Sequence, residues 1–346
     1  MEAVWFALVA AMLTAYVVLD GFDLGAGIIY RYVARTHGER AVALSAIEPV
    51  WDANEVWLIA AGALYFAFPR LYAASFSGFY LGLMMVLWLL IVRGVSVGLR
   101  SQVQHPLWWS FFDFAFSSPS ALLAFFYGVA IGNVLRGVPL GADGYFFEPL
   151  WTDFGVSASP GILDWYTLLL GALSFAILTV HGAHYVALRT EGAINRRTRE
   201  IARGGWYPVA ALAVASLFAT ISLRPEVLDK LRSRPWGWLT AVAVASAVVA
   251  MRICTARGRD FGAFAASSVF IMGLVAGAAF AMYPYLLFAS TGPAYGLTVH
   301  YTKTGEYSLS VGLVWWLSGI ALAAGCFAFV YRSFRGKVEA SAPGLY

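Results

Sequence analysis

The residues of this chain with chemistry to do are carboxylates set inside apolar runs. Trp51-Asp52-Ala53-Asn54-Glu55-Val56-Trp57 places two acids, an amide and two indoles at the mouth of a long apolar stretch. A second acidic pair lies upstream in Leu19-Asp20-Gly21-Phe22-Asp23-Leu24-Gly25-Ala26-Gly27. An ionised carboxylate near hydrocarbon is costly unless it is paired, hydrated or neutralised, so a helix that only had to cross a bilayer would not carry these groups. The two stretches read as one site, able to pass protons or to hold a cation.

The elements that must position them are membrane spans. Of 346 residues, 60% are apolar and 12% charged, and the mean hydropathy is +0.72. That composition excludes a soluble domain and predicts an all-α, polytopic membrane protein. Runs of about 20 mostly apolar residues, the length of a spanning helix, number about nine. They fall near 4–30, 52–73, 76–98, 112–134, 163–187, 206–223, 237–256, 263–289 and 309–331. The start, Met1-Glu2-Ala3, lacks a basic n-region and no small-residue cleavage site follows, so the first run is expected to be a retained helix. No long linker divides the chain, and residues 1–346 are expected to form one transmembrane domain, a helical bundle or two packed bundles with a peripheral helix. Ala61 to Pro69 and Ala276 to Pro284 echo one another, which is compatible with a duplicated bundle or with chance.

Orientation follows from Lys and Arg counts on alternate loops, about 15 on one side against about 7 on the other. The N-terminus is therefore expected outside and the C-terminus in the cytoplasm. In this topology Asp20 and Asp23 share a face in the cytoplasmic half of the first helix. Asp52 and Glu55 lie at a similar level on the second, Arg93 on the third, and Asp113 near the start of the fourth. One arginine does not neutralise five carboxylates, so some of these acids are expected to be poised near neutrality. The structural alternative is that Asp20 and Asp23 cap backbone amides or pair with Arg31, and that Asp52 caps the second helix. Gly21, Gly25 and Gly27 permit close helix packing.

The histidines argue against haems held within this chain. His37, His105 and His300 fall in loops or at helix ends, and His181 and His184 are expected to form a hydrated, partly surface-facing pair. Cys254 and Cys326 are read as packing residues, with no metal or disulfide spacing. Most tryptophans sit near helix ends as an interfacial belt, and no basic stripe suggests nucleic acid.

The chain resembles subunit II of the cytochrome bd-type quinol oxidases. The matching residues are Leu19 to Gly27, Pro49 to Ile59, Ala74 to Tyr80, Gly128 to Asn133 with Gly137-Val138-Pro139, and the terminal Gly344-Leu345-Tyr346. The resemblance implies a bacterial or archaeal cytoplasmic-membrane subunit paired with a larger subunit I, which would carry the quinol site, haem b and haem d. It also implies a structural quinone or lipid on this chain, and it leaves room for a small single-helix subunit. Subunit II would support its partner and supply cytoplasmic protons for reduction of dioxygen to water. Carried over by motif, Asp52 is the leading proton-pathway residue, with Glu55 and Asp113 beside it. Asp20, Asp23, Arg93, Trp51 and Trp57 form a structural polar set. One departure is Gly98-Leu99-Arg100-Ser101-Gln102, where some members carry an acid and a lysine. A secondary transporter using the acidic cluster and a purely structural membrane scaffold are the competing functions.

Overall fold

The computed structural model describes residues 1–338, so Gly344 to Tyr346 lie outside the described residues. In chain order the elements are α1 (Glu2–Val33), α2 (His37–Ser45), α3 (Trp51–Glu55), α4 (Ala60–Ala67), α5 (Pro69–Gly78), α6 (Tyr80–Leu99) and α7 (Pro106–Arg136). There follow α8 (Trp165–Arg189), α9 (Gly192–Leu223), α10 (Glu226–Ser233), α11 (Trp238–Ala256) and α12 (Asp260–Met282). The hairpin strands β1 (Tyr285–Leu287) and β2 (Leu297–Thr298), then α13 (Val299–Thr302) and α14 (Glu306–Ser333), complete the chain. Among the described residues eight helices are long and apolar enough to cross a membrane, or nine if one bent pair counts as a single span. The all-α polytopic architecture is therefore the one the apolar runs predict.

Three runs fold differently from their expected bounds. The second, expected as one helix over 52–73, is broken: a 3₁₀ turn at Val56–Ile59 separates α3 from α4, and the chain then bends by 117° into α5. Pro69 opens α5, and a proline disfavours helical backbone in the residue before it, so Phe68 leaves the helix at φ −135° and ψ 62°. The sixth run begins earlier, because the arginine-rich segment from Gly192 to Arg203 continues the helix; straight-chain arginines favour it, and two of them find partners. Arg197 donates to the Val33 carbonyl and to Glu39, and Arg199 pairs with Asp260 at 2.7 Å. The eighth run ends at Met282 and passes into the antiparallel hairpin.

At the centre α1 crosses α8, with α7 and α12 packed against both. The crossing is built on glycine: a Cβ at Gly25 would overlap the Leu178 carbonyl and lie 2.8 Å from the Gly182 backbone. Such close approach lets backbones pack where lipid supplies no hydrophobic drive between helices. Phe22, Leu24, Ile29, Leu123, Leu178 and Phe270 fill the space around it.

Candidate functional site

Arg93 on α6 is the hub of the buried polar groups. It is 1% exposed, and its Nη1 lies 2.8 Å from Glu55 Oε1 and 3.0 Å from Asp20 Oδ1. Asp23, one turn beyond Asp20, accepts a 2.7 Å hydrogen bond from Asn54 Nδ2, and Asn54 Oδ1 accepts one of 2.8 Å from the Tyr331 hydroxyl of α14. Four elements thus converge: α1 supplies two acids, α3 an acid and an amide, α6 the guanidinium and α14 a phenol. The break after α3 matters here, because the short helix turns Asn54 and Glu55 inward while Asp52 stays exposed.

Three carboxyl groups around one guanidinium would carry two excess negative charges if all were ionised, which burial penalises strongly. A proton or a cation relieves that charge. Apart from the Arg93 ion pair at Asp20 Oδ1, both oxygens of Asp20 and Oδ1 of Asp23 are buried without an aligned hydrogen bond, so the cluster has acceptor sites to offer. Glu55 is partly open, with 29% of its side chain exposed, and Asp52 lies beyond it at the rim. The arrangement is graded, from an exposed acid through a half-exposed one to two sealed ones.

The expected site residues separate into two groups. Asp20, Asp23, Glu55 and Arg93 meet, with Asp52 at the rim and the Trp51 ring against Gly94. Trp57 is packed near Phe327 of α14, with its ring nitrogen buried and unpartnered. Asp113 does not join them. Its Oδ1 accepts from the Tyr30 hydroxyl at 2.7 Å and from Arg100 Nε at 2.6 Å, and its Oδ2 from Arg40 at 2.7 Å. The premise of one arginine serving five acids is corrected accordingly: two further arginines, counted from sequence only as loop charges, neutralise Asp113. The other acids have different structural partners from those expected: Asp52 caps no helix, Arg31 lies over the Phe114 ring, and Asp20 and Asp23 meet Arg93 and Asn54 instead.

The histidine pair is corrected too. His181 is fully buried and His184 is 3% exposed, because both face the helices packed against α8. His181 Nε2 donates to the Val18 carbonyl and Nδ1 meets Ser267 Oγ at 2.7 Å; His184 Nε2 meets Thr255 Oγ1 at 3.0 Å. Three of the four ring nitrogens are thus engaged, and His184 Nδ1 is buried without a partner. Among the described residues no group of three or more His, Cys, Asp or Glu side chains could hold a metal ion.

At the opposite end of the bundle lies a cluster that sequence reasoning missed. Arg136, at the end of α7, is ion-paired with both Glu148 and Asp164, and all three are buried. Asp164 also caps α8 through the amides of Tyr166 and Thr167, and Asn133 donates to the Ile162 carbonyl at 2.9 Å. Burial pushes the Glu148 carboxyl up to about 7, helped by Asp164 and opposed by Arg136. The capping spacing Asp164-x-x-Thr167 was the one local signal.

A bundle of helices long and apolar enough to cross a membrane, enclosing an acid–arginine cluster, defines a polytopic integral membrane protein with charge buried inside it. Known proteins place it more closely: the chain belongs to the cytochrome bd terminal oxidase subunit II family, whose model matches residues 1–334. It is 31% identical over 349 residues to the cytochrome bd ubiquinol oxidase subunit 2 of Bacillus subtilis, covering 99% of this chain and 98% of that one. The cytochrome bd-I ubiquinol oxidase subunit 2 of Escherichia coli K12 is 32% identical over 336 residues, covering 89% and 87%. A probable cytochrome oxidase subunit 2 of Haemophilus influenzae is 28% identical, covering 98% and 95%. The fold is shared with the bd oxidase structure from Geobacillus thermodenitrificans, at a TM-score of 0.72 and 18% identity over 96% of this chain and 98% of that one. The chain is thus a multi-pass subunit of an oxidoreductase complex, and its family implies haem in that complex and a subunit I partner.

Proposed function

We propose that this chain takes up protons from the cytoplasm for the reduction of dioxygen to water, while quinol oxidation and the haems b and d reside on subunit I. The carrying observation is the graded acid series Asp52, Glu55 and Asp20 ending on a single buried guanidinium. Subunit I covers the exposed face of α3, α4 and α6, because acids and the interrupted backbone of a broken span are tolerated at membrane depth only where protein or water meets them. The end bearing Arg31, Arg35, Arg40, Arg100 and the first turns of α9 faces the cytoplasm of a bacterial cytoplasmic membrane, in keeping with the distribution of positive charge. Asp113, saturated by two arginines and a tyrosine, acts as a lock at that end and leaves the proton route. The apolar groove of about 470 Å³ between α6 and α7, lined by Met85, Trp88 and Phe126 among others, suits an isoprenoid or acyl chain.

The test is Asp52→Asn in the intact complex. It should keep the haem spectrum and slow quinol-driven oxygen consumption ~10-fold, the rate equivalent of about 1.4 kcal/mol. Wild-type turnover in a fully haem-loaded Asp52→Asn complex would refute the uptake role.

A further inference from the structure

Among the buried and half-buried titratable side chains that the function just described does not use, two tyrosines adjoin the acid cluster. Tyr16 on α1 and Tyr127 on α7 hold their hydroxyl oxygens 2.5 Å apart, with ring centroids separated by 5.8 Å. Tyr16 is 4% exposed. It lies four residues before Asp20 on the same face of α1, which places it about 6 Å further from the arginine-rich end of the bundle. Because Asp20 is itself paired with Arg93, the two tyrosines stand one helical turn from the cluster.

Each phenol has one proton to donate and two lone pairs to accept with. One proton is engaged in the bond between the two oxygens, which leaves the other O–H to find an acceptor. Asp20, one turn away, is fully buried; its Oδ1 is ion-paired with Arg93 at 3.0 Å, and neither oxygen accepts a well-aligned hydrogen bond. The free phenol proton and the undersupplied carboxylate are complementary through one bridging water.

We propose that Tyr16 and Tyr127 form a hydroxyl relay that carries protons from the Asp20–Arg93–Glu55 cluster toward the middle of the membrane. When Asp20 takes up a proton, the phenol O–H that faced it turns to the second oxygen; the proton leaving Asp20 then binds that first phenol as it passes its own proton to the second, and the second phenol gives its proton to a water molecule beyond it. At each oxygen one O–H bond forms and one breaks, so both phenols end neutral and no oxidant is required. The protons are consumed in the oxygen reduction of the complex. The relay rests on the proton-uptake reading of this chain.

The test compares Tyr16→Phe, Tyr127→Phe and the double variant in the purified, intact complex, with Asp52→Asn alongside. Phenylalanine keeps the ring packing and removes only the hydroxyl. The relay requires full haem content, turnover per haem lowered about five-fold in each single variant with an enlarged solvent deuterium isotope effect, and no further loss in the double, because either change breaks the same chain. Wild-type turnover in the tyrosine variants overturns it. So does loss of haem in proportion to turnover, which would make the pair a structural clasp. A slow Asp52→Asn beside unaffected tyrosine variants sinks the relay alone. Slow tyrosine variants beside an unaffected Asp52→Asn sustain the relay and sink the assigned entrance.

Discussion

Arg93 and Asp113 show how buried charges of opposite sign acquire different roles through their partners. Arg93 is one cation among three acids, and its Nη1 alone approaches both Asp20 and Glu55. Truncating one member of a buried ion network leaves uncompensated charge, so Arg93→Ala should destabilise the chain by about 3–5 kcal/mol. The expected result is little assembled complex and little haem; normal assembly would show that the cluster is solvated enough to stand without its guanidinium. Asp113 is the inverse, one acid between Arg40 and Arg100. Asp113→Asn should lower the yield and thermal stability of the complex while leaving turnover per haem intact, the opposite of the pattern expected for Asp52→Asn. A turnover defect in well-assembled Asp113→Asn would return this residue to the proton route.

At the scale of elements, the crossing of α1 and α8 sets where the acids sit. Gly182 is as constrained as Gly25, since a Cβ there would overlap the backbone of Gly25 and Ala26, and backbone cannot move aside as a side-chain tip can. Gly182→Ala should therefore separate the helices and cost ~1–3 kcal/mol or more, as overpacking does. A melting curve of the complex reads this, and an unchanged midpoint would mean that α8 slides freely along α1. The glycines, the apolar runs and the i, i+3 spacing of Asp20 and Asp23 were legible in the sequence, because each depends on residues within a turn or two of one another. The break at Phe68 was not, since Pro69 interrupts the backbone without interrupting hydropathy. Nor was the partner of Asn54: Tyr331 lies 277 residues away, on a helix whose docking no local pattern announces. His181 and His184 misled for the same reason, as their burial depends on Ser267 and Thr255 of other helices.

Across the whole molecule, ion clusters stand at both ends and differ in charge. Asp113 with two arginines leaves one end positive, whereas Arg136 with two acids leaves the other with one negative charge in excess if both ionise. Glu148 Oε2 is buried without a partner, and a proton on this carboxyl removes the excess. Arg136 joins α7 to Glu148 and Asp164 of the long 137–164 segment, and Val138 bonds to Phe288 and Ser290, so that segment is pinned to the hairpin region as well. The folded value for Glu148, about 7, lies above the ordinary 4.5, so folding favours its protonated form. The stabilisation from Glu148 is therefore complete below about 4.5 and is lost as pH rises through about 7. Segment 137–164 should exchange amide protons faster at pH 8 than at pH 6, once the intrinsic pH dependence of exchange is removed. Glu148→Gln, a permanent mimic of the protonated acid, should flatten that difference and keep the segment protected at pH 8. Equal protection of the wild-type segment at both pH values would mean that the Arg136 guanidinium holds both carboxylates ionised, and the latch would then be indifferent to pH.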